Sequence, residues 1–372
     1  MRKLIALFCV ILVAFAFTAN ATETRVMTLG EIGSVIRDDV NVLTYPQTLR
    51  MYPKLGVAEI KGAHFPTMGW HMTHGDFTMG AYWTTEEWAD GYLPADFDGD
   101  GVMGLDQKFS LLYARDLAGM PFGFTFELFG NNAEHKETAD KSLNTGLGMM
   151  VGVGVTLMES LETSLGFGTY SWEQKNAAGD KVAESEGGTT IVVNARYWMP
   201  EGDWGIIVPH FMFEMVAGGR KPPSPPSTKD DVTAFEVGIG GTMPAGENII
   251  VVHDMGVRMR SQTIDDGTAA NKKENKMNLL PYFKGGMEAP LSEHFTFRCG
   301  GVKEWNSNST KTGSHEVLTS GASTRLYIGA GYKRGNFNVD LNVDPGFFTR
   351  GPYFVTGAAG ALATQASVIY AW

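Results

Sequence analysis

The feature that most constrains this chain is a two-residue alternation of apolar with polar or small side chains. The segment from Phe122 to Leu128 reads FGFTFEL, and the segment from Phe337 to Asp344 reads FNVDLNVD. Successive side chains of a β-strand point to opposite faces, so this period is typical of strands with one apolar face and one polar face. Segments of about ten residues with this pattern recur along most of the chain. The pattern predicts an all-β fold.

The first residues predict export from the cytoplasm. Residues 1–21 begin with Arg2 and Lys3, continue with an apolar run from Leu4 to Phe17, and end in the tripeptide ANA at Ala21. These are the three parts of a secretory signal peptide, with cleavage expected after Ala21. The alternative is an anchor helix, but the apolar run is shorter than the ~20 residues that cross a bilayer. After cleavage only Cys299 remains, so the mature chain has no intramolecular disulfide.

The spacing of the connections favours a membrane barrel over a soluble sandwich. Tight turns are expected near Glu159, Pro200–Asp203, Ala245–Gly246, Ser292–Glu293 and Gly335–Asn336. Long polar stretches lie between them, at Asn131–Asn144, Lys175–Glu186, Gly218–Asp231, Thr263–Lys276 and Asn306–Ala322. Outer-membrane barrels have short periplasmic turns and long outer loops. We therefore predict a transmembrane antiparallel up-and-down β-barrel of about 14 strands, spanning residues 76–372 and placed in the outer membrane of a Gram-negative cell.

The end of the chain supports the same prediction. Val368, Tyr370 and Trp372 fall on one face of the last predicted strand and close the chain with an aromatic residue. This ending resembles the C-terminal signal that the outer-membrane assembly machinery reads, although those signals more often end in Phe. The resemblance implies two partners, the barrel-assembly machinery and the lipid bilayer.

Placing the apolar face toward lipid leaves a charged inner face. Charged side chains that face lipid near the bilayer midplane cost about 2–4 kcal/mol each, so we expect them in the lumen. By strand parity the lumen-facing set is Glu127, Arg196, His210, Glu214, Glu236, Asp254, Arg258, Lys284, Glu288, Arg298, Arg325 and Asp340. Such a set forms either a closed ion-pair network that supports the wall or a polar path for a solute.

Residues 22–75 precede the first confidently predicted strand and form a separate segment. It contains Leu29-Gly30, the run VIRDDVN from Val35 to Asn41, and YPQTL from Tyr45 to Leu49. This layout resembles the start of the long-chain fatty-acid transporter (FadL) type of outer-membrane barrel, which has an Asn-Pro-Ala-Gly-Leu segment. Pro46 and Leu49 match, while Tyr45 and Gln47 replace Asn and Ala. The resemblance implies a 14-stranded barrel with its N-terminal segment folded inside as a plug.

Three histidines lie close together before the first long loop. His64, His71 and His74 are spaced closely enough to suggest a metal site. Trp70 and Trp83 accompany them, and aromatic residues gather at membrane interfaces. An aromatic belt with incidental histidines is the favoured interpretation.

Composition and motifs narrow the function. The chain has 30 basic and 41 acidic residues, which argues against nucleic acid as a partner. It has no nucleophile elbow, zinc-protease motif or phosphate-binding loop, so we predict a protein that is not an enzyme and requires no cofactor. The leading hypothesis is a channel or plug-gated transporter that passes a small solute through the charged lumen. The alternative is a non-conducting surface barrel that acts as a receptor, adhesin or assembly partner through its long outer loops.

One local motif suggests a calcium site in an outer loop. The run DFDGDG begins at Asp96, and it places oxygen donors at its first, third and fifth positions and Gly at its sixth. This is the first half of a calcium loop. The second half departs, because Gln107 occupies the twelfth position. The candidate ligands are Asp96, Asp98, Asp100, the Val102 carbonyl and Asp106; the alternative is a solvated Asp/Gly turn.

This motif generates the first testable prediction. If calcium stiffens the loop, its removal by a chelator should increase protease cleavage between Thr85 and Leu105, measured on the folded protein by mass spectrometry. Added calcium should restore protection, whereas magnesium should not, because Mg²⁺ demands a smaller octahedral site. Cleavage that is indifferent to calcium would remove the site.

Overall fold

The computed structural model describes residues 23–61, 65–85, 107–135, 142–176, 178–200, 202, 205–222, 227–246, 248–268, 271–343 and 363–372. Most of them belong to one antiparallel sheet of 17 β segments. Their bounds are β1 Leu55–Lys61, β2 Phe65–His74, β3 Phe77–Thr84, β4 Gln107–Leu117, β5 Met120–His135, β6 Ser142–Leu157, β7 Leu161–Lys175, β8 Lys181–Ser185, β9 Gly188–Tyr197, β10 Ile206–Lys221, β11 Thr228–Pro244, β12 Ile250–Asp265, β13 Lys273–Pro290, β14 Phe295–Thr312, β15 His315–Arg334, β16 Phe337–Val343 and β17 Ala363–Ala371.

The sheet closes on itself. Each strand pairs with its neighbours in chain order, and β1 pairs with both β2 and β17, with Leu55 opposite Ala371. β8 and β9 both lie between β7 and β10, so together they make one crossing of the wall that is interrupted at Glu186 and Gly187. The wall is therefore a closed barrel of 16 strands. A closed wall leaves no strand edge unpaired.

The all-β closed barrel is confirmed, and its wall has 16 strands, two more than the number of about 14 that the sequence predicts within two. The two additional strands are β1 and β2, which lie inside the segment 22–75 that we assigned to the N-terminal segment. The barrel wall therefore begins at Leu55 instead of Asp76. Strand β1 lacks the usual alternation because its inner face carries Leu55 and Val57, which are buried, while its outer face begins with Gly56 and Ala58.

Several stretches that we expected to be loops are extensions of strands. β13 and β14 each have 18 residues and β15 has 20, well beyond the ~9–11 that cross a membrane. The expected loop Asn306–Ala322 lies almost wholly in the hairpin of β14 and β15. Outside the bilayer both faces of a hairpin meet water, so the apolar alternation stops while the backbone pairing continues.

The outer surface of the wall is an apolar band. Large apolar side chains are exposed on nearly every strand, including Met68, Trp83, Phe109, Phe124, Leu147, Val153, Leu165, Phe167, Phe211, Ile239, Met255, Phe283, Leu326 and Leu341. Val368, Tyr370 and Trp372 of the predicted assembly signal also point outward. A continuous apolar exterior of this size marks a surface covered by a membrane or a partner.

Residues 23–54 lie inside the barrel, and we call them the lumen segment. The segment contains the helix α1, Glu23–Thr28, and two short 3₁₀ turns, Asp39–Val42 and Pro46–Met51. Its side chains bond to strands on opposite sides of the wall, with Thr24 on β1, Arg25 on β13 and Gln47 on β6 and β7. A segment that touches opposite sides of a closed wall lies within it. Among the described residues, no helix is both long and apolar enough to cross a bilayer.

Candidate functional site in the barrel lumen

An ion-pair cluster on β13, β14 and β16 holds the start of the lumen segment. Arg25 binds Glu288 through two nitrogens, with its Nε 2.8 Å from Oε2, and it lies 3.4 Å from Asp38. Glu288 also accepts a 2.6 Å hydrogen bond from Arg298, which in turn pairs with Asp340. Two guanidinium groups thus lie among three carboxylates, and we call this set the charged latch. Paired groups of this kind offset the cost of burying each charge.

Two adjacent carboxyls continue this cluster. Asp38 begins the first 3₁₀ turn, and its side chain accepts a 3.2 Å hydrogen bond from the Val40 N–H. Asp39 is buried, and its Oδ1 has no hydrogen-bond partner among the described residues. Burial raises the pKa of the Asp39 carboxyl well above its usual range, and the neighbouring Asp38 charge raises it further. The fold therefore favours the neutral form of the Asp39 carboxyl.

A second charged cluster grips the middle of the lumen segment. Arg196 of β9 is almost fully buried and binds Glu162 of β7 at 2.6 Å. Its Nη1 donates to the carbonyl oxygens of Ser34 and Ile36, each at 3.3 Å. The same guanidinium lies 4.2 Å from the centre of the Tyr45 ring, within the range of a cation–π interaction. One wall arginine thus binds the segment at three places.

A third cluster joins β10, β11, β12 and β13. His210 Nε2 lies 2.9 Å from Asp254 Oδ1, and the Tyr282 hydroxyl donates a 3.0 Å hydrogen bond to Glu236. Arg258 is 3.9 Å from Glu236, which is too long for a hydrogen bond. His210, Glu236 and Asp254 are all buried, and one ligand atom from each lies within 4.8 Å of the others.

The structure places all twelve side chains of the predicted lumen set on strands β5 and β9 to β16. Eight belong to the three clusters above, namely Arg196, His210, Glu236, Asp254, Arg258, Glu288, Arg298 and Asp340. Of the others, Arg325 binds Glu31 at 3.2 Å and Lys284 donates to the Glu31 carbonyl at 3.4 Å. Glu127 lies 3.8 Å from Lys108, and Glu214 is buried.

Bare glycines in the wall let the backbone of the lumen segment approach closely. A Cβ at Gly286 would lie 2.4 Å from the Leu29 carbonyl oxygen, and one at Gly300 would lie 2.5 Å from the Gly30 nitrogen. Gly123 does the same on the opposite side, where a Cβ would lie 2.1 Å from the Gln47 nitrogen. Real Cβ atoms do not approach so closely, so the segment fits only where these strands have no side chain.

Apolar packing seals the segment against the wall near the short turns. Val26, Leu29, Ile32, Val35 and Ile36 form one buried cluster with the wall residues Trp198, Val208 and Val252. Val42 and Leu49 pack on the other side with Tyr82, Leu112 and Ala114. Fully burying side chains of this size stabilises each by about 1.5–3 kcal/mol, so the segment is held by apolar contacts as well as by charge.

Three cavities surround the first 3₁₀ turn. The largest, about 390 Å³, is lined by residues that include Glu23, Glu31, Thr44, His210 and Glu236. Thr44 also borders a cavity of about 150 Å³ on the side of Glu127. The third, about 60 Å³, shares Leu43 and Lys108 with the second cavity and Glu23 and Val40 with the first. The lumen is therefore divided around the segment instead of being empty.

Closure, an apolar exterior and a charged interior occur together in this wall. In water such an exterior would be a large unfavourable surface, whereas in a bilayer it is the solvated one. The chain is therefore a closed β-barrel with the apolar exterior of a membrane-spanning wall. The barrel also has the two features that the FadL-type resemblance implied, a closed wall and an N-terminal segment inside it, although it has two more strands than that family.

Comparisons with known proteins add structural likeness only. No protein-family model and no curated protein sequence matches the barrel. Among solved structures it is similar to CdiB from Escherichia coli, with 10% identity and a TM-score of 0.42 over 86% of this chain and 63% of that one. It therefore spans just under two thirds of CdiB. It is also similar to the Pseudomonas putida toluene transporter TodX, with 8% identity and a TM-score of 0.39 over 94% and 96% of the two chains. It is similar as well to the CymD monoaromatic hydrocarbon channel, with 9% identity and a TM-score of 0.40 over 93% of this chain and 96% of that one.

Other predicted sites fall differently. The candidate calcium ligands Asp96, Asp98, Asp100, Val102 and Asp106 lie outside the described residues, as does the predicted signal peptide, residues 1–21. His71 is buried in the lumen, where it bonds the Tyr82 hydroxyl at 2.7 Å and the Tyr52 carbonyl at 2.8 Å. Trp70 and Trp83 point outward, as expected for an aromatic belt.

Sequence reasoning missed most of the segment's own anchors. Arg25, Glu31 and Asp38 are among the residues that carry its ion pairs, and Glu59 on the unrecognised strand β1 accepts hydrogen bonds from Thr24. Glu162 could have been found by parity, because it occupies an inward position of a strand that was predicted. Glu288, which Arg25 binds through two nitrogens, lies 263 residues away in the chain, so no local pattern contains this pair.

The glycine contacts predict that Gly286→Ala loosens the lumen segment. The new Cβ must displace the Leu29 backbone, at a cost of about 1–3 kcal/mol. Trypsin cleavage after Arg37 and Arg50, measured by mass spectrometry, should therefore increase. Gly285→Ala on the same strand is the matched control, because its Cβ would meet only one atom, at 3.8 Å. Equal cleavage of the two variants would show that close approach at Gly286 does not hold the segment.

The raised pKa of Asp39 predicts a pH dependence. The pKa of the Asp39 carboxyl is raised in the docked segment and returns toward 3.8 when the segment is released. The released state therefore loses its proton more readily, so raising the pH above 3.8 favours release. The free energy of docking should weaken by at most about 1.4 kcal/mol per pH unit. Tryptic cleavage of the segment should therefore increase with pH. Asp39→Asn should flatten the profile, whereas Asp76→Asn at an exposed turn should not. An unchanged slope in Asp39→Asn would assign the effect to other groups.

Proposed function

We propose that this barrel is a gated outer-membrane transporter or channel for a small polar solute, with the lumen segment as its plug. The observation that carries the proposal is the position of residues 23–54 inside a charged lumen that is wide enough for a channel. Barrels of 16–18 strands leave an aqueous path when nothing fills them. A segment that fills such a path controls what passes.

The way in which the segment is held supports gating. Its attachments combine the charged latch, the Arg196 cluster and the apolar packing at Leu29 and Leu49. The latch lies on β13, β14 and β16, whereas Gln47 is held on β6 and β7 across the barrel. The segment can therefore loosen at one side of the lumen while its other contacts remain.

The lining of the largest cavity suggests the chemistry of the solute. Glu23, Glu31 and Glu236 line it together with His210, and no Lys or Arg is among its described lining residues. A volume of about 390 Å³ suits a small molecule. We infer a solute that is neutral and hydrogen-bonding or carries positive charge. Acidic lining does not suit a hydrocarbon, which is what the names of TodX and CymD specify for those proteins.

A second candidate function is a non-conducting surface barrel. The tall hairpins of β13, β14 and β15 favour it, because they carry long exposed surfaces such as Val317 and Leu318 beyond the apolar band. In that case the segment is a permanent part of the core, and the outer hairpins bind a partner.

Conductance of the purified barrel in a planar bilayer separates the two functions. Deleting residues 23–52 removes the segment but keeps β1, which a deletion reaching residue 60 would destroy. We expect large, steady, cation-preferring current from the deletion variant and little from the complete chain, because the emptied lumen is water-filled. Arg25→Gln, which keeps the chain length, should give brief openings, since breaking a buried ion pair costs about 3–5 kcal/mol.

Each variant must first show the heat-dependent gel shift of a folded barrel. A folded deletion variant that conducts no more than the complete chain would refute the plug and leave the surface barrel as the function. Steady current from the complete chain would also contradict gating, because the segment would then leave an open path.

A further inference from the structure

The cluster of His210, Glu236 and Asp254 differs from the other charged clusters of the lumen. In the charged latch and around Arg196, each carboxylate binds a guanidinium directly. Here Glu236 receives a 3.0 Å hydrogen bond from Tyr282, and within the described part of the chain its ion-pair partner Arg258 is 3.9 Å away. The Lys284 ammonium, on the strand beside Asp254, is bonded to the Glu31 carbonyl.

Asp254 carries the most pointed sign of a missing ligand. The residue is 2% exposed, and its Oδ2 has no hydrogen-bond partner among the described residues. Leaving a buried acceptor unsatisfied costs about 1–3 kcal/mol, and more for a charged group. Its other oxygen, Oδ1, already faces His210 at 2.9 Å. A group that binds both Asp254 and His210 would remove this cost.

Glycines make the floor on which these side chains converge. Gly238 lies opposite both His210 and Gly256 in the sheet, so two bare positions separate β10 from Tyr282 of β13. A Cβ at Gly238 would lie 2.4 Å from His210 Nε2 and 2.6 Å from the Tyr282 hydroxyl. The two glycines therefore leave the room in which the His210 and Tyr282 side chains lie. All these groups stand on strands, which are rigid elements.

We propose that His210, Glu236 and Asp254 form a binding site for one divalent first-row metal ion of the Zn²⁺ class. One imidazole nitrogen and two carboxylate oxygens are ligands that such ions accept, whereas Ca²⁺ and Mg²⁺ take oxygen ligands only. The ligand atoms lie within 4.8 Å of one another, and bonds of about 2.0–2.2 Å require small side-chain shifts to bring them together. The Tyr282 hydroxyl stands beside Glu236 as the group that orients it.

The charge and the access of this site fit a divalent cation. Two carboxylates match two positive charges, and His210 is a ligand in its neutral form. His210 and Glu236 also line the acidic cavity of about 390 Å³, so an ion reaches them from the lumen. Binding at this site does not depend on whether the barrel transports a solute, so it goes beyond the function proposed above.

Calorimetric titration of the folded, complete barrel with Zn²⁺ tests the site. The protein is prepared without a histidine tag, stripped with a chelator, and titrated in excess Ca²⁺ so that the predicted calcium loop at Asp96–Asp106 does not compete for Zn²⁺. We expect one saturable equivalent of Zn²⁺ per chain. Co²⁺ should give the visible absorption of a site with a nitrogen ligand.

Matched variants locate the binding. Asp254→Asn and His210→Gln keep size and hydrogen bonding but remove a ligand, and each should weaken Zn²⁺ binding at least tenfold. His71→Gln is the control, because His71 is an equally buried lumen histidine bonded to Tyr82 and Tyr52. It should leave the affinity unchanged, and the heat-dependent gel shift reports the folding of every variant.

Three results would overturn the proposal. The first is a folded barrel that shows no saturable binding of Zn²⁺ or Co²⁺. The second is an affinity that stays the same in both Asp254→Asn and His210→Gln. The third is an affinity that falls as much in His71→Gln as in those two variants, which would place the metal elsewhere. None of these readouts uses conductance, so the site can fail while the proposed transport stands, and the reverse.

Discussion

The whole structure depends on the need to satisfy every backbone hydrogen bond inside a bilayer. Lipid offers no donors or acceptors, so a sheet that crosses it must close. Here closure is made by β1 and β17, which pair along seven residues from Leu55 to Lys61. Once the wall is closed, strand parity divides the side chains into a lipid face and a lumen face. The charges that the chain carries then have one place to go, and the packing of the interior follows.

The interior satisfies those charges by cross-connection. Arg25, Arg196 and Arg298 each bind a partner on a different secondary-structure element, and two of them join the lumen segment to the wall. Because the bonds of β13, β14 and β16 lie on one side and those of Gln47 on the other, the segment is a bridge across the lumen. The cluster at His210 stands apart, since it receives no guanidinium hydrogen bond among the described residues and sits over bare glycines. The same lumen thus contains the charged latch and a site suited to a cation.

Most of the wall could be predicted from the sequence because lipid imposes a simple pattern on it. The lumen-facing positions of Glu127 and Asp340 follow from counting in twos along their strands. Strand β1 could not be found this way, because two of its inward side chains, Leu55 and Val57, are apolar and buried. The hairpin of β14 and β15 continues beyond the region of apolar alternation, because water lies on both of its faces there. The pairing of Arg25 with Glu288 and the burial that raises the pKa of Asp39 depend on tertiary contacts that no local spacing records.

The position of Glu59 has a consequence for the line where the barrel is closed. This residue lies on β1, and its Oε1 accepts from the Thr24 N–H and hydroxyl at 2.6 Å each and from Gln365 of β17 at 2.9 Å. One carboxylate therefore ties the first strand, the last strand and the lumen segment together. Withdrawal of the segment would remove two of these bonds from the seam itself. The mechanical strength of the barrel at its closing strands and the state of its interior are thus not independent, and a lateral opening between β1 and β17 would be easiest when the lumen is empty.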